Sequence, residues 1–216
     1  MSQRLIYIMD PMCSWCWGFA PVIDALQAAH PQLPLHLVVG GLRPGVTDPL
    51  SEATRRTLGE HWQAVGRTSG QPLLTPDALP DGFIYNTEPA CRALVVAREL
   101  DPQCVWPLAR AIQAAFYTQA RDVTQCQILI ELAEQVGYNR QRFHRAFIAE
   151  QAVTATAADF NWVADLGISG FPTLLAQRNG MLALLANGYQ PAERILPLLQ
   201  RWVDSGPRRP APRGSR

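Results

Sequence analysis

The sharpest chemical signal in the chain is Cys13-Ser14-Trp15-Cys16. Two thiols separated by two residues can close a disulfide and open it again by thiol–disulfide exchange. The attacking species in that exchange is a thiolate, and the flanking residues favour one. Leu5-Ile6-Tyr7-Ile8-Met9 is a short apolar run ended by Asp10-Pro11, which reads as a buried strand. Phe19, Val22, Ile23, Leu26 and Ala29 then repeat at helical spacing. Cys13 therefore stands where strand passes into helix, beside unpaired amides and the positive end of the helix dipole. Cys13 is the expected nucleophile, and Cys16, one turn on, the resolving thiol. Two other readings fit the spacing. Half of a zinc site would need a second ligand pair, which Cys91, Cys104, Cys126 and the scattered His30, His36, His61 and His144 do not form, so no metal is expected. Two buried cysteines acting as small hydrophobes would not require the strand-to-helix position.

A second signal is Phe171-Pro172-Thr173, at the start of an apolar run. Proline cannot donate to a strand ladder, so a strand start or an edge is expected. Trans is the default for the Phe171–Pro172 bond. In the cis form the chain would double back and present the Phe171 backbone beside the cysteines, where an extended peptide could pair with it. Trp15 and Trp17 flank Cys16 and fit either a substrate-facing lip or ordinary packing. Arg43 reads equally as a carboxylate ligand or a solvated loop residue. Cys91 reads as a buried core thiol ahead of a third reactive one, and Asp10 as a strand end ahead of a proton relay.

The elements that must position these residues follow from periodicity. Leu35-His36-Leu37-Val38-Val39 is a second strand closed by Gly40-Gly41, so the chain opens as β-α-β with a parallel pair. Pro21 inside the intervening helix is expected to kink it. From Ser51 to Glu150 there is no convincing strand. Asn86-Thr87-Glu88-Pro89 starts a helix that runs to about Leu100. Val105, Leu108, Ala109, Ile112 and Phe116 form a second stripe. Ile128, Leu129, Leu132 and Val136 form a third, ended by Gly137, and Phe143 and Phe147 mark a fourth helix. Ala155 to Leu166 reads as a helix stopped by Gly167. An apolar run from Ile168 to Ala176 turns at Gln177-Arg178-Asn179-Gly180 and returns from Met181 to Ala186. Ile195, Leu199, Trp202 and Val203 give the last helix. The resulting α/β order is βαβ, a helical insertion, then αββα. Residues 1–50 and 151–206 would form one discontinuous domain, residues 51–150 an all-helical insertion domain, and residues 207–216 a disordered Arg/Pro tail.

Composition narrows the function classes. The 216 residues are 48% hydrophobic and 17% charged, in the range of globular proteins. Lysine is absent, which excludes a Schiff-base lysine and a P-loop lysine. Four of the 19 arginines lie in the last ten residues, and the remaining 15 face 18 acids. That slightly acidic body is not expected to bind nucleic acid, and the apolar runs are too short for a membrane partner. Only five apolar residues follow Met1-Ser2-Gln3-Arg4, so no secretory leader is read and a cytoplasmic location is expected. Five cysteines cannot all pair within one chain, and a disulfide in that compartment would be transient and catalytic.

Together these motifs resemble the thioredoxin superfamily, and the hundred-residue helical insertion resembles that of the DsbA family. The run from Asp10 to Phe19, Gly40-Gly41-Leu42-Arg43-Pro44-Gly45, Asn86-Thr87-Glu88-Pro89-Ala90-Cys91-Arg92-Ala93 and Gly170-Phe171-Pro172-Thr173 are similar to its FrnE-like cytoplasmic branch. The resemblance spans about residues 4 to 204. It implies a thioredoxin fold interrupted by a helical domain and a cis bond before Pro172. It also implies thiol–disulfide oxidoreductase or isomerase activity on protein or peptide thiols and disulfides, with no cofactor beyond the Cys13–Cys16 disulfide itself. Glutathione would enter only as a reductant or ligand. Phe171, Pro172, Thr173, Trp15 and Trp17 would contact substrate. The periplasmic DsbA pattern has Pro-His between the cysteines, whereas Ser14-Trp15 supplies no imidazolium to stabilise a Cys13 thiolate. A less oxidising couple is expected. The kappa-class glutathione transferases and 2-hydroxychromene-2-carboxylate isomerases resemble the same split fold, so a glutathione-dependent isomerase or transferase is the rival enzyme. A binding protein that uses the insertion as an adaptor is the rival from another class.

Overall fold

A computed structural model describes residues 3–206; the Arg/Pro tail expected at 207–216 lies outside the described residues. The chain forms β1 (Gln3–Met9), α1 (Ser14–Ala29), β2 (Leu35–Val39), α2 (Glu52–Ser69), α3 (Glu88–Leu100), α4 (Val105–Gln119), α5 (Cys126–Gln135), α6 (Arg140–Phe147), α7 (Glu150–Asp165), β3 (Thr173–Arg178), β4 (Met181–Asn187) and α8 (Ala192–Asp204). The strands make one sheet in the order β2-β1-β3-β4. β1 runs parallel to β2, with Tyr7 opposite Leu37, and antiparallel to β3, with Tyr7 opposite Leu174. β3 and β4 are an antiparallel hairpin whose turn residues, Asn179 and Gly180, both have positive φ. Asparagine and glycine adopt that conformation at least cost. The fold is α/β, and its element order is the one expected.

The apolar run of β1 is buried because the sheet is covered on both faces. Alternate residues Leu5, Tyr7 and Met9 join the main core with Phe19, Ile23 and Leu26 of α1 and Ile195 and Leu199 of α8. Ile6 and Ile8 point the other way and pack with Val38, Leu175 and Val163 of α7. This is the two-residue alternation of a strand, with both faces apolar. The main core continues without a break into the helices between β2 and α7, through Trp62, Leu94, Phe116, Leu129 and Phe143.

α1 runs from Ser14 to Ala29 through Pro21, which sits on its exposed side. Two details depart from the sequence reading. Periodicity does not mark α2, because only Trp62 and Val65 of its 18 residues are buried; Ser51, which accepts from Thr54 N–H, and Gly70 at positive φ bound it. α7 begins at Glu150, five residues before the expected start. Of its first turn and a half only Ala152 is buried, so those residues carry no apolar stripe to betray the helix.

Candidate active site

Cys13 is the N-cap of α1, with extended backbone (φ −84°, ψ 118°). A tight turn from β1 delivers it there, with Cys13 N–H donating to the Asp10 carbonyl at 3.0 Å. The residue is 6% exposed, and its thiol lies 3.6 Å from the carbonyl oxygen of Phe171, to which it donates. Cys16 is fully buried one turn below. Burial pushes the Cys16 thiol well above its ordinary value; the neighbouring Cys13 adds to this, and the Asp10 backbone N–H opposes it. Cys13 is thus the more exposed residue of the pair. All five cysteines are free thiols here.

The Phe171–Pro172 bond is cis, the form the resemblance implies. Pro172 is buried, and its carbonyl accepts Gly188 N–H at 2.8 Å. The partly exposed Phe171 ring lies on Gly40: a β-carbon there would stand 2.0 Å from its Cε1. Thr173 is buried, and its hydroxyl donates to the Gly170 carbonyl at 2.9 Å, which orders the loop. Trp15 is partly exposed, with its ring 5.6 Å from that of Tyr189. Trp17, expected among the substrate contacts, is buried instead. Its indole N–H donates to the Pro72 carbonyl at 2.9 Å, its ring stacks on Tyr117, and the Arg110 guanidinium covers it. Of the two tryptophans, Trp15 is partly exposed and Trp17 is packed in the core, because positions two apart on a helix point about 200° apart.

Residues 4–200 match the DSBA-like thioredoxin domain. The chain belongs to the DsbA-like thioredoxin family. At family level this is a thiol–disulfide oxidoreductase fold. A candidate protein disulfide isomerase of Nitrosomonas europaea is 40% identical, with a TM-score of 0.88 over 96% of this chain and all of that one. The cytosolic disulfide reductase DsbM of Pseudomonas aeruginosa is 26% identical, with a TM-score of 0.77 over 94% of this chain and all of that one; it has also been solved with GSH. Among curated proteins, the ClpXP adapter protein SpxH of Bacillus licheniformis is 23% identical over 203 residues, 90% of this chain. The chain spans only 66% of that relative's length.

Around the DsbA-like cysteine pair the structure gathers Asp10, Cys91 and Arg43, which the sequence left open, and Tyr85 and Tyr117, which it did not mark. Asp10 is fully buried. Its carboxylate accepts Met12 N–H at 2.8 Å and Leu42 N–H at 2.6 Å, and the buried Cys91 thiol donates to it at 3.4 Å. Burial raises its pKa, against those hydrogen bonds. Asp10 thus ties the cysteine turn to the loop after β2 and to α3. It does more than end a strand, and Cys91 serves as its buried donor. The Arg43 guanidinium lies over the Tyr85 ring at 5.4 Å. Tyr85 and Tyr117 both donate to the carbonyl of Met12. Neither tyrosine belongs to a motif in the sequence, and only folding brings positions 85 and 117 to position 12.

Proposed function

We propose that this protein is a cytoplasmic thiol–disulfide oxidoreductase of the FrnE-like branch, acting on protein or peptide disulfides through Cys13 and Cys16. The observation that carries the reading is the Cys13 sulfur at the head of α1, 3.6 Å from the Phe171 carbonyl, with Cys16 buried beneath it. In the reducing direction, the Cys13 thiolate attacks one sulfur of the substrate disulfide. That bond breaks, the released substrate sulfur takes up a proton, and a mixed disulfide remains on Cys13. Cys16 then loses its proton and attacks the Cys13 sulfur, releasing the second substrate thiol and leaving Cys13–Cys16 oxidised. Glutathione restores the dithiol, each turnover converting two molecules to glutathione disulfide; the GSH-bound Pseudomonas reductase supports that choice. Phe171, whose carbonyl lies beside the sulfur, and the partly exposed Trp15 contact the substrate. Among the described residues no helix is long and apolar enough to cross a membrane.

Cys13→Ser should abolish disulfide turnover, and Cys16→Ser should accumulate mixed disulfides, both read by acid trapping and mass spectrometry. Full turnover in Cys13→Ser would sink the proposal. The SpxH relatives favour one alternative, an adaptor. An adaptor would bind its partner equally well after loss of both Cys13 and Cys16.

A further inference from the structure

We infer that the helical insertion sets the redox poise of the cysteine pair through Tyr85 and Tyr117, whose hydroxyls together clasp the Met12 carbonyl in the peptide that leads into Cys13. The inference rests on the thiol–disulfide reading above. Tyr85 lies in the segment before α3 and Tyr117 in the last turn of α4, and both are buried. Tyr117 donates to Met12 O at 2.6 Å, and Tyr85 donates to the same oxygen. A carbonyl oxygen has two acceptor positions, and here both are filled by phenols from the insertion. Burial, with the negative charge available to Asp10 and Cys13 nearby, holds both phenols far above their ordinary value, so both remain donors throughout the working range of pH.

The Met12–Cys13 peptide has its negative end at this oxygen, close to the sulfur that becomes a thiolate. Two phenolic hydrogens set against that end reduce the repulsion a Cys13 thiolate would meet, in an interior where water does not screen it. A thiolate exists on Cys13 only in the reduced pair. Stabilising it therefore favours the dithiol over the disulfide and makes the couple more oxidising. Ser14-Trp15 carries no cationic group between the cysteines. The two tyrosines supply positive partial charge from outside the motif. They do not touch the sulfur's reaction partner and act as positioning residues.

The test compares the unmodified protein with Tyr85→Phe, Tyr117→Phe and the double variant in glutathione redox buffers. The Cys13–Cys16 fraction is read after acid trapping, and the Cys13 thiolate is titrated by its ultraviolet absorbance. Tyr138→Phe is the control, because the Tyr138 hydroxyl donates to the Ala97 and Asp101 carbonyls at 3.1 and 2.9 Å, away from the cysteines. Each single variant should shift the equilibrium toward the disulfide about threefold and the double variant about tenfold, the latter worth about 30 mV in a two-electron couple. The thiolate titration should move upward in step, and Tyr138→Phe should leave the equilibrium where it was. An unchanged equilibrium in both single variants, or an equal shift in Tyr138→Phe, overturns the inference and leaves the cysteine couple standing. An unmodified protein that never forms the Cys13–Cys16 disulfide overturns the function itself. The single variants decide the matter even if the double variant does not fold.

Discussion

Gly40 has no side chain because the Phe171 ring occupies the place of one. A β-carbon at that position would sit 2.0 Å from Cε1 and 2.1 Å from Cζ, so the ring and the carbonyl beside Cys13 would have to move together. Gly40→Ala should cost about 1–3 kcal/mol, the usual range for overpacking. It should also lower disulfide turnover, because the Phe171 backbone shifts relative to the Cys13 sulfur. Urea denaturation and kcat/KM measure the two effects. Gly41 is constrained differently, by a φ of +69° and by the Phe160 ring.

At the scale of the element, β2 is an edge strand whose free side is covered by side chains from α3 and α7. Arg98 forms a two-pronged ion pair with Asp159, at 2.7 and 2.9 Å, and donates to the Leu37 carbonyl at 2.8 Å. Asp159 in turn accepts Val39 N–H at 3.1 Å. The strand edge is thereby closed to pairing with other chains. Arg98→Ala removes the pair and leaves Asp159 uncompensated; a loss of about 2 kcal/mol is expected in urea, given the partial exposure of both groups. His36 on the same strand is held down to about 4, chiefly by burial and then by Arg4 and Arg98. The folded state thus binds its proton more weakly than the unfolded chain. The corresponding stability is present above the ordinary histidine value of about 6.5 and is lost as pH falls toward 4. The unfolding free energy measured in urea should drop across that window, by on the order of 1 kcal/mol after allowance for solvent screening. His36→Gln should flatten the drop.

The whole molecule shares one main core. Leu5 of β1, Leu199 of α8 and Phe143 of α6 belong to the same buried cluster, and Trp17 of α1 bonds to the Pro72 carbonyl beyond α2. The insertion and the sheet should therefore unfold together. Tryptophan fluorescence and the reactivity of Cys13 toward a thiol reagent should give coincident urea transitions. Two separated transitions would mean that the insertion opens independently of the cysteine site.

The sequence by itself determined the element order and marked the cysteine pair. Those depend on local properties: the apolar run of β1, the helical spacing after Cys13, the Asn179-Gly180 turn and two cysteines at a strand-to-helix step. It was less informative where an element buries little of itself, as in α2 and the first turn of α7. Tertiary structure alone decided which residues surround the sulfur. Trp15 and Trp17 are equivalent in sequence, yet one is partly exposed and the other stacked on Tyr117. Asp10 with Cys91, Met12 with Tyr85 and Tyr117, and Gly40 with Phe171 are contacts between distant segments. Periodicity reports which face of an element is buried. The partner on that face is set by how the insertion packs against the sheet, and no local pattern encodes it.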